Sequence, residues 1–357
     1  MKRYIIILFL LMVFSGAYFE KPVKIDFDNP HIFYNGRIDT LENAVAFYWP
    51  GTFARVFFRS SGIKVKMKDS NGKNYYNIIL DGNYFGIFKP DTVEKWITLA
   101  DNLKDTIHSV EVFRRADAGP GWLYAFEVNA GGNFIYPPEK PERTIEFYGN
   151  SITVGASIHD YSGNDRYDST YTDNYLAYGA LTARHYNANY YCIARGGIGL
   201  MVSWFPLIMP EMWNRTNPDD TGSKWDFSKV SPDIVVINLF QNDAPLVNMP
   251  EHPQFKARFG DTPPTEEFIV NAYVDFLKNI RTVYPDASII CTLGMMSATR
   301  EDKPWRGYIK QAVHRMDDPK IYSLFFPYKG NFTHPLVEEH KQMADSLIRF
   351  IDNNIVW

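Results

Sequence analysis

Four segments of the chain contain side chains that together could carry out acyl transfer. They offer a hydroxyl, a glycine, a carboxamide and an imidazole, and they occupy residues 149–153, 195–199, 241–243 and 331–335. A serine hydroxyl becomes a nucleophile when an imidazole takes its proton, and the oxyanion that forms next needs preorganised hydrogen-bond donors. The four segments together therefore predict a serine hydrolase site.

The first segment, Gly-Asn-Ser-Ile-Thr, places Ser151 directly after an apolar run at residues 144–148. Gly149 ends this predicted strand, and Ser151 stands where a helix should begin. At such a corner the serine side chain is held at the sheet edge, and its own backbone N–H points into the same space. A turn with a capping serine has the same local sequence. The prediction of a nucleophile therefore depends on the later segments.

The later segments supply the predicted partners of Ser151. His334 is the candidate general base, because a ring nitrogen can take the serine proton. The backbone N–H groups of Ser151 and Gly197 and the side-chain NH₂ of Asn242 are the candidate oxyanion donors, and a glycine lets the backbone approach the substrate closely. This chemistry implies no cofactor and no metal, and the sequence has neither metal-ligand cysteine spacing nor an H-E-x-x-H helix.

The elements that must position these residues belong to the second of two predicted domains. With 357 residues, the chain is too long for one typical core. From residue 22 to 138, short runs of β-branched and aromatic residues are separated by turn signals such as Asn71-Gly72. This pattern predicts an all-β, jelly-roll-like sandwich. A stiff and charged stretch at residues 137–141 then forms a natural boundary.

From residue 142 to 357, strand-like runs alternate with helical patterns. The five runs lie at residues 144–148, 189–193, 233–239, 288–293 and 321–326. Such alternation predicts a three-layer α/β domain with a five-stranded parallel sheet covered by helices on both faces. Thr265 is the predicted N-cap of one of these helices. Ligands bind beyond the carboxyl ends of parallel strands, so the four reactive segments should share one sheet edge.

The charge and the N-terminus restrict where the protein acts. A formal net charge of −4 argues against nucleic acid or an anionic membrane surface as the main partner. Lys2 and Arg3 precede an apolar run at residues 4–14, and small residues follow at 15–17. This pattern predicts a signal peptide at residues 1–17 that is removed, because the apolar run is too short for a comfortable membrane span. We therefore expect a secreted or periplasmic protein with no stable membrane insertion.

The four segments resemble the SGNH (GDSL-like) hydrolases, which are named for a Ser, a Gly, an Asn and a His in separate sequence blocks. Ser151, Gly197, Asn242 and His334 match these blocks in order. The two-domain layout most resembles carbohydrate esterase family two, which joins a β-sandwich to an SGNH domain and removes acetyl groups from plant polysaccharides. The resemblance implies an exported serine esterase, similar to acetylxylan esterases, with an acetylated carbohydrate as its partner.

Three positions depart from the family pattern. Asn150 replaces the aspartate of the first block, and Phe240 replaces a glycine in the third block, where its ring is expected to line or narrow the acyl pocket. The aspartate that usually precedes the histidine is missing, and Asn331 and Phe332 hold those places. The group that orients His334 is therefore open between Asn331, a backbone carbonyl and a carboxylate elsewhere in the chain.

The sequence also leaves two other functions open. One is a glycan-binding protein in which the esterase site is weakened or inactive. The other is an esterase for a different acyl group, such as a lipid or aryl ester. The sequence contains no long apolar lid segment, which argues against a lipid substrate.

Overall fold

The computed structural model describes residues 20–166 and 168–357. The predicted signal peptide at residues 1–17 therefore lies outside the described residues. Across the two described ranges, no helix combines the length and apolar character needed to cross a membrane.

The first part of the described chain forms two antiparallel sheets. Its strands are β1 Val23–Asp26, β2 Ile32–Asn35, β3 Ile38–Thr40, β4 Val45–Phe47, β5 Phe53–Arg59, β6 Ile63–Asp69, β7 Tyr76–Leu80, β8 Asn83–Phe88, β9 Lys95–Ala100, β10 Ile107–Arg114, β11 Gly121–Val128 and β12 Asn133–Ile135. One sheet has the order β3-β4-β11-β6-β9, with β1 also paired to β11, and the other has the order β12-β5-β10-β7-β8, with β2 paired to β5. The two sheets enclose one core.

Strand β6 illustrates why these residues form a sandwich. Ile63, Val65 and Met67 are buried, and the residues between them are half-exposed, as expected when one face of a strand meets the core and the other meets water. The buried side chains pack against β-branched and aromatic residues of the opposite sheet, including Val56, Phe58 and Val110.

The second part of the chain contains a parallel sheet with helices. Its strands are β13 Thr144–Gly149, β14 Asn189–Ala194, β15 Ile234–Asn238, β16 Ser288–Leu293 and β17 Ile321–Phe325, and its α-helices are α1 Ser151–Val154, α2 Tyr178–His185, α3 Met209–Met212, α4 Asp243–Leu246, α5 Pro253–Phe259, α6 Glu266–Val283, α7 Trp305–Met316 and α8 Val337–Asn354. Short 3₁₀ helices lie at Ser169–Tyr171, Asn174–Leu176, Phe227–Lys229 and Ser297–Thr299. The strand order is β14-β13-β15-β16-β17, and all four strand pairs are parallel.

This sheet is buried on both faces. Helices α6 and α7 pack on one face, and α2 and α8 pack on the other. The Thr265 side chain accepts a hydrogen bond from the Phe268 N–H and so caps α6, as its sequence predicts. The predicted fold class, a β-sandwich joined to an α/β domain with a five-stranded parallel sheet, is confirmed.

Buried polar contacts join the two parts. Arg37 of the sandwich is 1% exposed. Its guanidinium donates to Glu146 Oε1 at 2.6 Å and to the Tyr148 hydroxyl at 2.9 Å, both on β13. The Trp49 indole N–H also donates to the Thr216 carbonyl oxygen at 2.7 Å. Removing one partner of a buried ion pair leaves an uncompensated charge, so these contacts fix the sandwich on the α/β domain.

Candidate active site

The nucleophile corner, residues 149–155, lies at the carboxyl end of the central strand β13. Gly149 is required there because an added Cβ would lie 2.0 Å from the Thr153 Oγ1. Asn150 caps α1 by accepting a hydrogen bond from the Ile152 N–H at 3.0 Å, and its own amide donates to the Asn238 carbonyl oxygen. Asn150 thus holds the corner, and Ser151 begins the helix with its N–H at the sheet edge.

His334 lies against Ser151 although the two residues are far apart in the chain. The distance from His334 Nε2 to Ser151 Oγ is 2.7 Å. The backbone of His334 is held by Lys329, whose ammonium donates to the His334 carbonyl oxygen and to the Glu339 carboxylate, each at 2.7 Å. The imidazole is thus in hydrogen-bond reach of the hydroxyl proton that it would need to take.

The carboxylate that faces the other side of the His334 ring belongs to Asp165. Its two oxygens lie 2.8 and 2.9 Å from His334 Nδ1, and it also accepts from the His334 backbone N–H at 3.0 Å. An ionised carboxylate only accepts hydrogen bonds, so Nδ1 carries a proton and Nε2 of the neutral ring is left to accept from Ser151. Asp165 therefore selects the tautomer that general-base chemistry needs.

Asn331 is one of the three groups that the sequence left open for orienting His334, and its side-chain oxygen is engaged elsewhere. Asn331 Oδ1 accepts hydrogen bonds from the Thr333 N–H and hydroxyl, at 3.2 and 2.9 Å, and so closes a local turn. The acceptor for Nδ1 comes instead from the carboxylate of Asp165, which is the third option that the sequence left open. No sequence motif in this chain marks Asp165, which lies in an irregular loop 169 residues before the histidine.

The acid loop, residues 157–166, is held in shape by Asp160. The Asp160 side chain is fully buried and accepts from the Ser162 N–H and hydroxyl and from the Arg166 backbone and guanidinium. The Arg166 guanidinium and the Ser162 hydroxyl, as hydrogen-bond donors, hold the pKa of Asp160 well below its ordinary value. Asp165 lies between these two partners and has a left-handed backbone, with φ of 54°. The position of Asp165 therefore depends on the hydrogen bonds that Asp160 makes with Ser162 and Arg166.

The electrostatics of Asp165 reflect two opposing influences. Burial raises its pKa, but the hydrogen bond and the charge of His334 outweigh burial and hold the pKa below the ordinary carboxyl value. Asp165 is therefore ionised at neutral pH and can stabilise an imidazolium.

Candidate oxyanion donors lie beside Ser151 in the oxyanion loop, residues 195–204, and at Asn242. Gly197 has a φ of 77°, a conformation that favours glycine. Within residues 20–166 and 168–357, the N–H groups of Ser151 and Gly197 have no hydrogen-bond partner. Ser151, Gly197, Asn242 and His334 all line one cavity of about 520 Å³.

The Asn242 side chain is fixed by two contacts that the sequence did not predict. Its Oδ1 accepts from the Trp204 indole N–H at 3.0 Å, and its Nδ2 donates to the Ile198 carbonyl oxygen at 2.7 Å. A carboxamide nitrogen carries two N–H groups, so the second can serve an oxyanion. Trp204 thus determines which end of the amide faces the cavity.

Asp243 holds the far end of the oxyanion loop. Its buried carboxylate accepts from the N–H groups of Leu200, Met201 and Val202, at 2.7–3.2 Å. Burial raises the pKa of Asp243 to about 6, although these backbone donors act in the opposite direction. The residue next to Asn242 in the motif therefore positions the loop that carries Gly197.

The expectation that Phe240 lines or narrows the acyl pocket is wrong. Its side chain is completely buried and packs against Tyr273 and Trp305, with ring centroids 4.9 and 5.1 Å apart. The reason is the backbone conformation, which has φ of 78° and turns the ring into the core. The aromatic side chains that line the cavity are instead Trp204, Phe205 and Phe332.

The site has the geometry found in serine hydrolases. An aspartate contacts one nitrogen of a histidine ring, the other nitrogen contacts a serine, and N–H donors lie beside that serine.

Comparisons with known proteins agree with this class. The family model of the carbohydrate esterase 2 N-terminal domain matches residues 34–138. A solved family two carbohydrate esterase from Clostridium thermocellum, in complex with cellohexaose, has a TM-score of 0.80 and 30% identity, covering 90% of this chain and 98% of its own.

Two relatives extend the comparison. The cellulase/esterase CelE of Acetivibrio thermocellus is 32% identical over 93% of this chain, which spans 40% of that protein's length. An acetylxylan esterase / glucomannan deacetylase of Cellvibrio japonicus is 24% identical over 98% of this chain and 99% of its own length. This chain belongs to carbohydrate esterase family two, within the SGNH (GDSL-like) hydrolases.

Proposed function

We propose that this protein is an exported carbohydrate O-acetyl esterase that acts on plant polysaccharides or oligosaccharides. The observation that carries the proposal is the continuous set of contacts from Asp165 through His334 to Ser151, at 2.8 and 2.7 Å. The names of the relatives support an acetylated xylan or glucomannan as the substrate class. Exposed aromatic side chains at the cavity, Trp204 and Phe332, offer apolar faces on which sugar rings can stack.

In the proposed reaction, Ser151 Oγ attacks the acetyl carbonyl carbon while His334 Nε2 takes the hydroxyl proton. The oxyanion accepts hydrogen bonds from the Ser151 and Gly197 N–H groups and from Asn242 Nδ2. When the intermediate collapses, the bond to the sugar oxygen breaks and the imidazolium gives its proton to that oxygen. Water, deprotonated by His334, then attacks the acetyl-enzyme. The bond between the acetyl carbon and Ser151 Oγ breaks, the imidazolium returns its proton to Oγ, and acetate leaves. Asp165 stabilises the imidazolium in both steps.

The test is acetate release from acetylated xylan and glucomannan oligosaccharides by the wild type, Ser151→Ala and His334→Ala. Both variants should lose activity by about 10⁴-fold or more, because each removes a group that acts as part of a unit. Acetate release by Ser151→Ala at the wild-type rate would reject the proposal.

The glycan-binding alternative is supported by the similarity to a structure that holds cellohexaose. Calorimetry with unacetylated oligosaccharides, combined with the acetate-release assay, separates the two functions. A glycan-binding protein would bind the oligosaccharides and release no acetate from the acetylated ones. An ester panel with acyl chains of increasing length tests the other alternative. We expect the acetyl ester to be hydrolysed fastest.

The proposed export rests on Lys2, Arg3 and the apolar run that follows them. N-terminal sequencing of the protein expressed in a bacterial host and recovered outside the cytoplasm should give a chain that begins after residue 17. A full-length chain that remains in the cytoplasm would reject export.

A further inference from the structure

One contact links the sandwich directly to the oxyanion loop. Asp117, in the loop between β10 and β11, accepts a hydrogen bond through Oδ2 from the Gly196 backbone N–H at 2.7 Å. Gly196 immediately precedes the candidate oxyanion donor Gly197 and lines the same cavity. A carboxylate of the β-sandwich is therefore one residue away from a group that faces the reacting atoms.

The oxyanion loop needs such external support because of its composition. Gly196 and Gly197 have no side chains to pack, and paired glycines lose more backbone freedom on ordering than any other residues. Asp243 fixes Leu200 to Val202, at the far end of the loop. The Arg195 N–H donates to the Gly149 carbonyl oxygen at 3.3 Å, which is a longer bond. Asp117 thus provides the short, charge-assisted hydrogen bond at the near end.

We infer that Asp117 is a positioning residue that orients the Gly197 N–H toward the oxyanion, an inference that rests on the function proposed above. The hydrogen bond from Asp117 fixes the peptide group between Arg195 and Gly196. The next peptide group, between Gly196 and Gly197, supplies the Gly197 N–H. Rotation of the Arg195–Gly196 peptide group would therefore turn the Gly197 N–H away from the oxyanion. In this arrangement the β-sandwich is part of the catalytic apparatus in addition to packing against the α/β domain.

The attachment of the two domains does not depend on Asp117. The Arg37–Glu146 ion pair is completely buried, and Trp49 and Asn35 provide further buried contacts to the α/β domain. Asp117 itself is only half-buried. Loss of its carboxylate should therefore leave the domains joined, and the effect should appear in turnover, where donor geometry matters most.

The experiment compares Asp117→Ala and Asp117→Asn with the control Asp81→Ala. Asp81 makes the same type of bond, from a carboxylate to the Ser109 backbone N–H at 2.8 Å, but entirely within the sandwich. For each variant we would measure kcat and KM with an acetylated oligosaccharide, the affinity of a boronic acid that forms a tetrahedral adduct on serine, and the melting temperature.

Asp117→Ala should lower kcat by about tenfold or more, since loss of a complete oxyanion donor costs about 10²–10³-fold. KM should stay within about twofold, and boronate affinity should fall in proportion to kcat. Asp117→Asn should recover most of the activity, because its amide oxygen can accept the same N–H. Asp81→Ala should keep the wild-type kcat whatever its melting temperature.

Several outcomes would overturn the inference. These are a wild-type kcat in Asp117→Ala, an effect on KM alone, or an equal kcat loss in Asp81→Ala. If Asp117→Ala does not fold, Asp117→Ser carries the test, and a wild-type kcat in that variant has the same meaning. Activity in Ser151→Ala would overturn the proposed function and this inference together. An inactive Ser151→Ala beside an unaffected Asp117→Ala would overturn this inference alone.

Discussion

Ser151 and Asp165 contact opposite nitrogens of the His334 ring, yet the segments that carry them are built differently. The nucleophile corner is a buried strand-to-helix turn fixed by Gly149 and by the cap from Asn150. The acid loop has no regular secondary structure around Asp165 and is fixed by side chains that converge on Asp160. Backbone geometry therefore sets one contact of the ring, and side-chain hydrogen bonds set the other.

The difference follows from what each group must do. In the proposed reaction, Ser151 presents both its hydroxyl and its own N–H to one substrate, which requires a particular backbone path and hence a local motif. Asp165 has only to place an oxygen beside His334 Nδ1, which any suitably shaped loop can do. The position of the nucleophile is therefore strongly constrained in sequence, and that of the carboxylate is weakly constrained.

Among the changes that test this comparison, the largest effect should come from Asp165→Asn, which keeps the shape of the side chain but removes its charge. An amide can hold the ring in the wrong tautomer, and the equivalent change in a serine protease lowers turnover by roughly 10⁴-fold. We expect a loss of similar size in kcat for acetate release. Asn331→Ala serves as the control and should stay within a few-fold of the wild type. The reverse ranking would restore Asn331 as the orienting residue.

On the side of the nucleophile, Asn242→Ala should lower kcat by about 10²–10³-fold, because one oxyanion donor is lost while the base is intact. KM should change little, since the hydrogen bond strengthens as charge develops. Steady-state kinetics on an acetylated oligosaccharide provides the measurement. Asn248→Ala, which removes an exposed amide bonded to the Ala244 carbonyl oxygen, is the matched control. A loss confined to KM would contradict the assignment.

A smaller effect is expected for Asp160→Ala, which loosens the acid loop without removing Asp165. Misplacement of a catalytic group by about 1 Å can cost about 10²-fold, so kcat should fall by roughly ten- to a hundredfold. The double variant with Asp165→Asn should be no slower than Asp165→Asn alone, because both changes act through the same contact.

Asp226→Ala is the control for that experiment. Asp226 accepts from the Ser228 N–H and hydroxyl, at 3.1 and 2.6 Å, in the same arrangement that Asp160 makes with Ser162. Its removal should leave kcat unchanged. Additive losses in the Asp160 and Asp165 double variant would show that Asp160 acts by another route.

The smallest effect concerns stability and pH. The pKa of Asp165 lies below its ordinary value of 3.8 in the folded protein. The resulting stabilisation is present above pH 3.8 and is lost as the pH falls through the lower folded-state value. The difference in unfolding free energy between wild type and Asp165→Asn should therefore shrink as the pH falls below 3.8. Urea titrations at pH 6 and pH 3 would reveal it, and a difference independent of pH would contradict the lowered pKa of Asp165.

The difference between a local backbone motif and a loop shaped by side-chain hydrogen bonds also explains which parts of the molecule the sequence could predict. Alternation in β6 and the five apolar runs were sufficient for the sandwich and the parallel sheet, because burial imposes periods that are visible in the residues. Ser151 and His334 could be found because each follows a strand at one sheet edge. Asp165 could not, since its role depends on a loop whose shape is set by several side-chain contacts. The bond from the Trp204 indole to Asn242 likewise has no sequence signal.

Phe240 has a consequence for stability, because its ring is buried while its backbone has a conformation that side chains rarely adopt. A non-glycine residue at φ of 78° costs about 1–2 kcal/mol, whereas burying a phenylalanine ring contributes about 1.5–3 kcal/mol. Burial of the Phe240 ring thus offsets the cost of the backbone conformation only because Tyr273 and Trp305 leave a slot for the ring. Phe240→Gly would relieve the backbone strain but would leave a cavity beside these two rings, so we expect a net loss of stability.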